Sequence, residues 1–208
     1  MNRCLIFDLD GTLVDSERLG FQALKEMLPD MSEDVPALVG RYRGWRLATV
    51  LGDIEKTFGW TLPEDFEQRY RVRLNRLFDA ELEAFPGAHD ALAGLDAPKC
   101  IASSGPRAKI ERSLSLTGLA RFFGDDVFSA YELGVWKPDP GLFLHAAENM
   151  GAAPEDCIVI EDSEVGLMAA AAAGMTAVHF RPEGPIETPA REFSSYGDLA
   201  PLLAALLD

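Results

Sequence analysis

No apolar run in the chain approaches the roughly 20 residues that a membrane-spanning helix requires, so a helical membrane protein is excluded and a soluble globular one expected. Cysteine is scarce. Cys4, Cys100 and Cys157 are odd in number and each lies in an apolar, strand-like run, a placement suited to small core residues rather than to disulfides, metal binding or catalysis. Histidine is equally sparse: His89, His145 and His179 lack metal-ligand spacing, and no function is assigned to them. Positive charge is in deficit, with 19 Lys and Arg against 34 Asp and Glu and a net charge of −15. Such a surface repels polyanions over long range, so nucleic acid is not an expected partner, although local fields can still hold small anions. Internal repeats and low-complexity linkers are absent. Met1-Asn2-Arg3 leads straight into the first strand and leaves no room for a signal peptide, which points to the cytoplasm.

What is present is enough apolar material for a substantial core: 208 residues, 48% of them hydrophobic. The apolar run Cys4-Leu5-Ile6-Phe7 reads as a buried parallel strand. From residue 17 to residue 82 the pattern is helical, as in Leu19, Ala23, Leu24, Met27, Leu28 and again in Phe66, Tyr70, Leu74, Leu77. This segment holds 10 of the basic residues against 12 acidic ones, so its net charge is −2 and the other residues carry −13. After Pro86-Gly87, helices and apolar strands alternate. Strands are expected at Lys99–Ser103, Val127–Ser129, Cys157–Glu161 and Thr176–Phe180, with helices at Ala88–Leu95, Arg107–Leu116, Gly141–Met150, Val165–Ala173 and Leu199–Leu207. Strands separated by helices imply a parallel sheet with right-handed crossovers. The expected fold is therefore α/β, a doubly wound parallel-sheet (Rossmann-like) core formed by residues 1–16 and 83–208, with an inserted α-helical cap at 17–82.

Four strand ends carry polar residues. The first, Asp8-Leu9-Asp10-Gly11-Thr12, puts two carboxylates at the carboxyl end of a buried strand, where open α/β sheets bind ligands. Alternation would put Asp8 and Asp10 on one face, but a turn at Gly11 can separate their roles, one to attack or bind metal and the other to handle protons. The second, Ser103-Ser104-Gly105-Pro106, offers hydroxyls and backbone N–H groups as a small anion cradle, with Pro106 suited to the first turn of a helix; a serine-rich turn is the plainer account. At the third, Lys137 precedes a proline, which favours an extended backbone and fixes the direction of its side chain. From there it can neutralise a carboxylate and an incoming phosphate together. Asp139 and Pro140 read as N-cap and first residue of the next helix. The fourth, Glu161-Asp162-Ser163, sets two adjacent acids where a buried strand meets a helix; they call for a counter-charge, and Mg²⁺ suits oxygen ligands. Capping of the helix that starts near Glu164 is the alternative for Asp162 or Ser163.

The order D-x-D-G-T, Ser103, Lys137, Glu161-Asp162 resembles the four motifs of the haloacid dehalogenase-like (HAD) hydrolase superfamily over essentially the whole chain. A helical cap after the first strand is similar to the subfamily of β-phosphoglucomutase and small-metabolite phosphatases. The resemblance implies that Asp8 is the nucleophile that becomes an aspartyl phosphate and that Asp10 is the general acid/base. Ser103 and Lys137 would hold the phosphoryl group; Asp8, the Asp10 backbone carbonyl and Asp162 would ligate Mg²⁺, with Glu161 beside them. Halide-removing members lack a second aspartate and phosphonate-cleaving members have a small residue there, so Asp10 points to phosphate esters. Where β-phosphoglucomutase has a histidine in the hinge and cap, this chain has Gly20, against mutase activity. The segments Phe78–Ala84 and Trp136–Pro140 are similar to a bacterial branch of 6-phosphogluconate phosphatases. A phosphomutase and a non-catalytic phosphate-binding module stand as alternatives; the latter needs neither nucleophile nor acid.

Substrate recognition is expected in the cap. Arg69, Arg73 and Arg76 fall on one helical face, and Arg41, Arg43 and Arg46 cluster around Gly44. Arg43, Arg46 and Arg73, with Ser104 and Gly105, are the candidate substrate contacts, since the guanidinium fork suits planar anions. Arginines on exposed cap helices are also commonly just solvated. A small phosphorylated metabolite is the expected partner, and a monomer or weak homodimer the expected state.

Overall fold

The computed structural model describes residues 3–183 and 191–207. Met1 and Asn2, on which the signal-peptide expectation rests, lie outside them. The first strand, β1 (Cys4–Phe7), is followed by four helices, α1 (Ser16–Met27), α2 (Val35–Tyr42), α3 (Leu47–Phe58) and α4 (Phe66–Glu81). Then come α5 (Ala88–Ala93), β2 (Lys99–Ser103), α6 (Arg107–Leu116), β3 (Val127–Ser129), α7 (Ala130–Leu133) and α8 (Gly141–Asn149). The described chain ends with β4 (Cys157–Glu161), α9 (Glu164–Ala172), β5 (Thr176–Phe180), β6 (Glu192–Phe193) and α10 (Leu199–Leu207). Among the described residues no helix is long and apolar enough to cross a membrane.

All six described strands are parallel, in the order β3-β2-β1-β4-β5-β6. The chain leaves β1 to one side for β2 and β3 and crosses to the other for β4, so the topological switch lies beside the carboxyl end of β1. Register sets the site's dimensions. Phe7 pairs with Ile101 and Ile160, so Asp8 follows directly between the ends of β2 and β4, and its N–H continues the ladder to the Ile160 carbonyl at 2.9 Å.

Period-2 alternation divides the strand side chains between two cores. Leu5, Phe7, Ile101, Ile158 and Ile160 face one side. Cys4, Ile6, Cys100, Ala102, Cys157 and Val159 face the other, under α8 and α9. The three cysteines are thus buried and free, small residues beneath helices that approach closely through Ala146, Ala147, Ala169 and Ala170. In the helical insert, α1 packs on α4 through Leu19, Leu24, Tyr70, Leu74 and Leu77, all buried. Its two ends meet at the core, where Asp15 N–H donates to the Glu83 carbonyl at 3.2 Å.

Elements and expectations differ at a few ends. α8 begins at Gly141, with Pro140 in the capping position and the Asp139 carboxylate accepting from Gly141 N–H at 2.8 Å, one residue later than the Asp-Pro pair implied. Pro106 likewise stands just before α6 rather than in its first turn. The short α7 and β6 have no counterpart in the sequence reading, because four and two residues are too few to show a period.

Candidate active site

The carboxyl ends of β1, β2 and β4 and the underside of the insert enclose a cavity of about 170 Å³. Core residues Asp8, Asp10, Ser103, Ser104, Gly105, Lys137, Glu161 and Asp162 line one wall. Tyr42, Arg46, Leu47, Val50, Tyr70 and Arg71 from the insert line the other. Gly20, also on the wall, lies under the Tyr70 hydroxyl.

Lys137 stands between two buried carboxylates, with Nζ 2.6 Å from Asp8 Oδ1 and 2.7 Å from Glu161 Oε2. Its side chain is 3% exposed. Burial works against its charge, but Asp8 and Glu161 hold its pKa above the ordinary lysine range. The peptide bond to Pro138 is cis. Burial and then the Glu161 charge push the Asp8 carboxyl well above the usual carboxylate range, against the pull of Lys137. Burial, then Glu17 and Glu161, raise Asp162 in the same way. The ring of carboxylates is short of positive charge.

Asp10 is differently held, as the turn at Gly11 allows. Burial favours its neutral form, yet the Lys109 ammonium and the Ser16 hydroxyl keep its pKa below the usual value. Ser16 Oγ donates to Oδ1 at 2.5 Å and Lys109 Nζ at 2.7 Å, while Ser103 Oγ reaches Oδ2 at 3.4 Å. Gly11 has φ +81°, and a Cβ there would fall 2.3 Å from Asp162 Oδ2. Only glycine both makes this turn and admits the carboxylate. Ser103 is fully buried, and its Oγ accepts from Gly105 N–H at 3.0 Å, so this N–H of the expected anion cradle is already engaged. Ser163 caps α9, accepting from Gly166 N–H, and also donates to Glu161 Oε1 at 2.6 Å. Gly166 lets Glu161 lie beneath this helix: a Cβ would meet Glu161 Cδ at 2.0 Å.

Asp8, Glu161 and Asp162 offer carboxylate oxygens within 4.8 Å of one another, a cluster able to hold a metal ion. The set contains oxygen donors only, all buried and short of counter-charge, which fits a hard divalent cation. The Asp10 side chain is not in this cluster; the expectation concerned its backbone carbonyl alone.

The candidate arginines separate. Arg46 lines the cavity, its guanidinium 3.9 Å over the Trp136 ring. Arg43 does not line it: Nη1 bonds Asp162 Oδ2 at 2.9 Å, and the residue borders a different hollow with Arg18, Val35 and Phe85. Beside it Glu17 accepts from Gly44 N–H at 2.9 Å, and burial raises the Glu17 carboxyl to about 7. Arg73 lies outside the cavity, in an ion pair with Glu26. Arg69 pairs with Asp65, and this face of α4 meets solvent. Arg71, on the neighbouring face, reaches the cavity instead, together with Lys109 and Tyr131. None of these three was expected from sequence. Lys109 had one usable signal, its place in the first turn of the helix that follows the Ser103 turn.

Residues 3–174 match the haloacid dehalogenase-like hydrolase family. The chain is 37% identical over 179 residues to a 6-phosphogluconate phosphatase of Escherichia coli K12, covering 85% of this chain and 81% of that protein. It is 31% identical to a fructose-1-phosphate phosphatase of the same organism, covering 85% and 95%. Among solved structures, a haloacid dehalogenase-like protein of Agrobacterium tumefaciens superimposes with a TM-score of 0.88 over the full length of both chains at 27% identity. A HAD family hydrolase of Deinococcus radiodurans, solved with phosphate and sodium, does so with a TM-score of 0.80 at 30% identity, covering 99% and 96%. Lys137, expected at a strand end, stands instead in the loop after α7, because β3 already stops at Ser129. Sheet order, the three polar strand ends and these likenesses agree: the chain belongs to the haloacid dehalogenase-like hydrolases.

Proposed function

We propose that the protein is a Mg²⁺-dependent phosphatase of small phosphorylated metabolites, with an acidic sugar phosphate such as 6-phosphogluconate as the substrate type. The observation that carries this reading is the separate seating of two carboxylates on one cavity wall, Asp8 against Lys137 and Asp10 against Lys109 and Ser16. The named relatives that act on phosphate esters support it. Asp8 Oδ1 is tied to Lys137, and Oδ2, which carries no hydrogen bond among the described residues, attacks phosphorus. Lys137 and the Ser103 hydroxyl meet the equatorial oxygens, where phosphoryl transfer needs neutralisation. Asp10 gives its proton to the departing alcohol and later takes one from the water that cleaves the aspartyl phosphate. Asp8 and Asp162, with Glu161 beside them, would hold Mg²⁺, which would supply further positive charge to the transferring group.

In this reading the helical insert, residues 17–82, is a cap that excludes water and reads the rest of the substrate. Of the three arginines expected to do so, Arg46 alone lines the cavity, and it has no acidic partner among the described residues. Arg46→Ala is expected to lower kcat/KM for 6-phosphogluconate on the order of tenfold, as for one charge-assisted hydrogen bond at a wetted rim. Hydrolysis of p-nitrophenyl phosphate should change by less than about twofold, since it presents no second anion. Equal losses on both esters would remove Arg46 from substrate recognition.

Phosphate release from a panel of sugar phosphates, with and without Mg²⁺, tests the whole reading. Release that depends on Mg²⁺ and favours acidic sugar phosphates is expected. An isomeric phosphate as product would make the protein a mutase, and no release from any ester a binding module.

A further inference from the structure

The two oxygens of Asp10 have unlike surroundings. Oδ1 accepts two short hydrogen bonds, from Ser16 at the start of α1 and from Lys109 in the first turn of α6. Among the described residues Oδ2 has only the long contact from Ser103, and it faces the turn at Ser103 and Gly105 that lines the cavity. Lys109 is not a solvated surface lysine. Its side chain is 26% exposed, its ammonium lies 5.9 Å over the Phe78 ring, and Asp10 is its one acidic partner among the described residues.

An acid that protonates a leaving group must aim a particular oxygen at it, and a carboxyl free to rotate loses that alignment. We infer that Lys109 is a positioning residue: it grips Asp10 Oδ1 so that Oδ2 is the oxygen that hands the proton to the departing alcohol. The inference rests on the role proposed above for Asp10. In the step concerned, Asp8 Oδ2 bonds to phosphorus and the bond from phosphorus to the alcohol oxygen breaks. Asp10 takes the proton from solvent as the ester brings its own negative charge beside the carboxylate, and the proton then passes from Oδ2 to the alcohol oxygen. Asp10 is left as a carboxylate, with the Lys109 ammonium already 2.7 Å from it. Ser16 alone would hold Oδ1 from the hinge side and leave the carboxyl group free to swing about that single bond.

Leaving-group dependence separates this role from a merely structural one. Benzyl phosphate departs as an alcohol that needs a proton, whereas p-nitrophenyl phosphate departs as a stable phenolate, and the two are close in size. Under single-turnover conditions with Mg²⁺, Lys109→Met is expected to slow benzyl phosphate cleavage roughly 10- to 100-fold, with p-nitrophenyl phosphate slowed less than about threefold. KM for both should stay within about threefold, and Lys109→Arg, which can still donate to Oδ1, should restore most of the loss. Asp10→Asn should show the same asymmetry, only larger. Equal losses on the two esters in Lys109→Met, or no loss on either, would overturn the inference; so would a rise in KM at unchanged rate, which makes Lys109 a substrate contact. If Asp10→Asn slows both esters equally, the acid role itself fails and the inference falls with it. Circular dichroism and a thermal melt report folding of each variant, and Lys109→Gln provides the same comparison should the methionine variant not fold.

Discussion

Asp8→Asn is expected to abolish phosphate release, by more than about 10³-fold, because a neutral amide does not form the phosphoryl bond that the first step requires. The same change should stabilise the metal-free protein. Asp8, Glu161 and Asp162 are buried together, with Lys137 between the first two and Arg43 on the third. Removing one negative charge relieves repulsion without stranding Lys137, which keeps Glu161 at 2.7 Å. The sign with pH follows from the raised Asp8 pKa. Between the ordinary carboxylate range and its raised folded value, the native state binds more protons than the unfolded chain, so stability falls as pH rises through that window. Thermal melts in EDTA should therefore show Tm of the wild type rising as pH is lowered from neutral toward about 5, and Asp8→Asn should flatten that slope. At neutral pH the variant should melt a few degrees higher, about what ~1 kcal/mol gives in a chain of this size. Residual turnover near the wild-type level would refute the nucleophile; a variant that melts lower in EDTA would show that the carboxylate ring is not under charge strain.

Chelation, or loss of one carboxylate of the candidate metal cluster, should have a comparable effect on activity. Wild-type protein in EDTA is expected to lose phosphate release and to regain it with Mg²⁺. Asp162→Ala should raise the Mg²⁺ concentration for half-maximal activity at least ~10-fold or eliminate activity, since Mg²⁺ uses few protein ligands and each carries much of the binding. Asp162 also accepts from Thr12 Oγ1 at 3.2 Å and from Arg43 at 2.9 Å, so the variant leaves a buried hydroxyl and a cation without their acceptor. A melt of Asp162→Ala against wild type, both in EDTA, measures that structural cost apart from metal binding. Full activity in EDTA, or an unchanged Mg²⁺ requirement in Asp162→Ala, would remove the metal from this account.

The polar strand ends were legible because each is a local pattern. An apolar run of four or five residues that stops at Asp8, Ser103 or Glu161 marks both the strand and its carboxyl end, and parallel pairing then brings the ends of β1, β2 and β4 together. Lys137 was legible for a similar reason, through its place before a proline and a helix. Arg73 was not. Periodicity put it on a face with Arg69 and Arg76, but a period states which residues share a face and not what the face meets. That face meets Glu26 and solvent, and Arg71 beside it meets the cavity.

The sequence by itself determined the fold class and the chemistry available at the sheet's edge: alternation of period 2 and period 3.6 sets the strands and helices, and the acids stand where those strands end. Tertiary structure alone decided which cation serves which acid. Lys109 lies 99 residues from Asp10, and Arg43 lies 119 residues from Asp162. Contacts at that separation depend on how α1–α4 and α6 pack against the core, on buried surfaces such as Tyr70, Leu74 and Phe78, whose apolar pattern specifies burial but not the angle at which the elements meet.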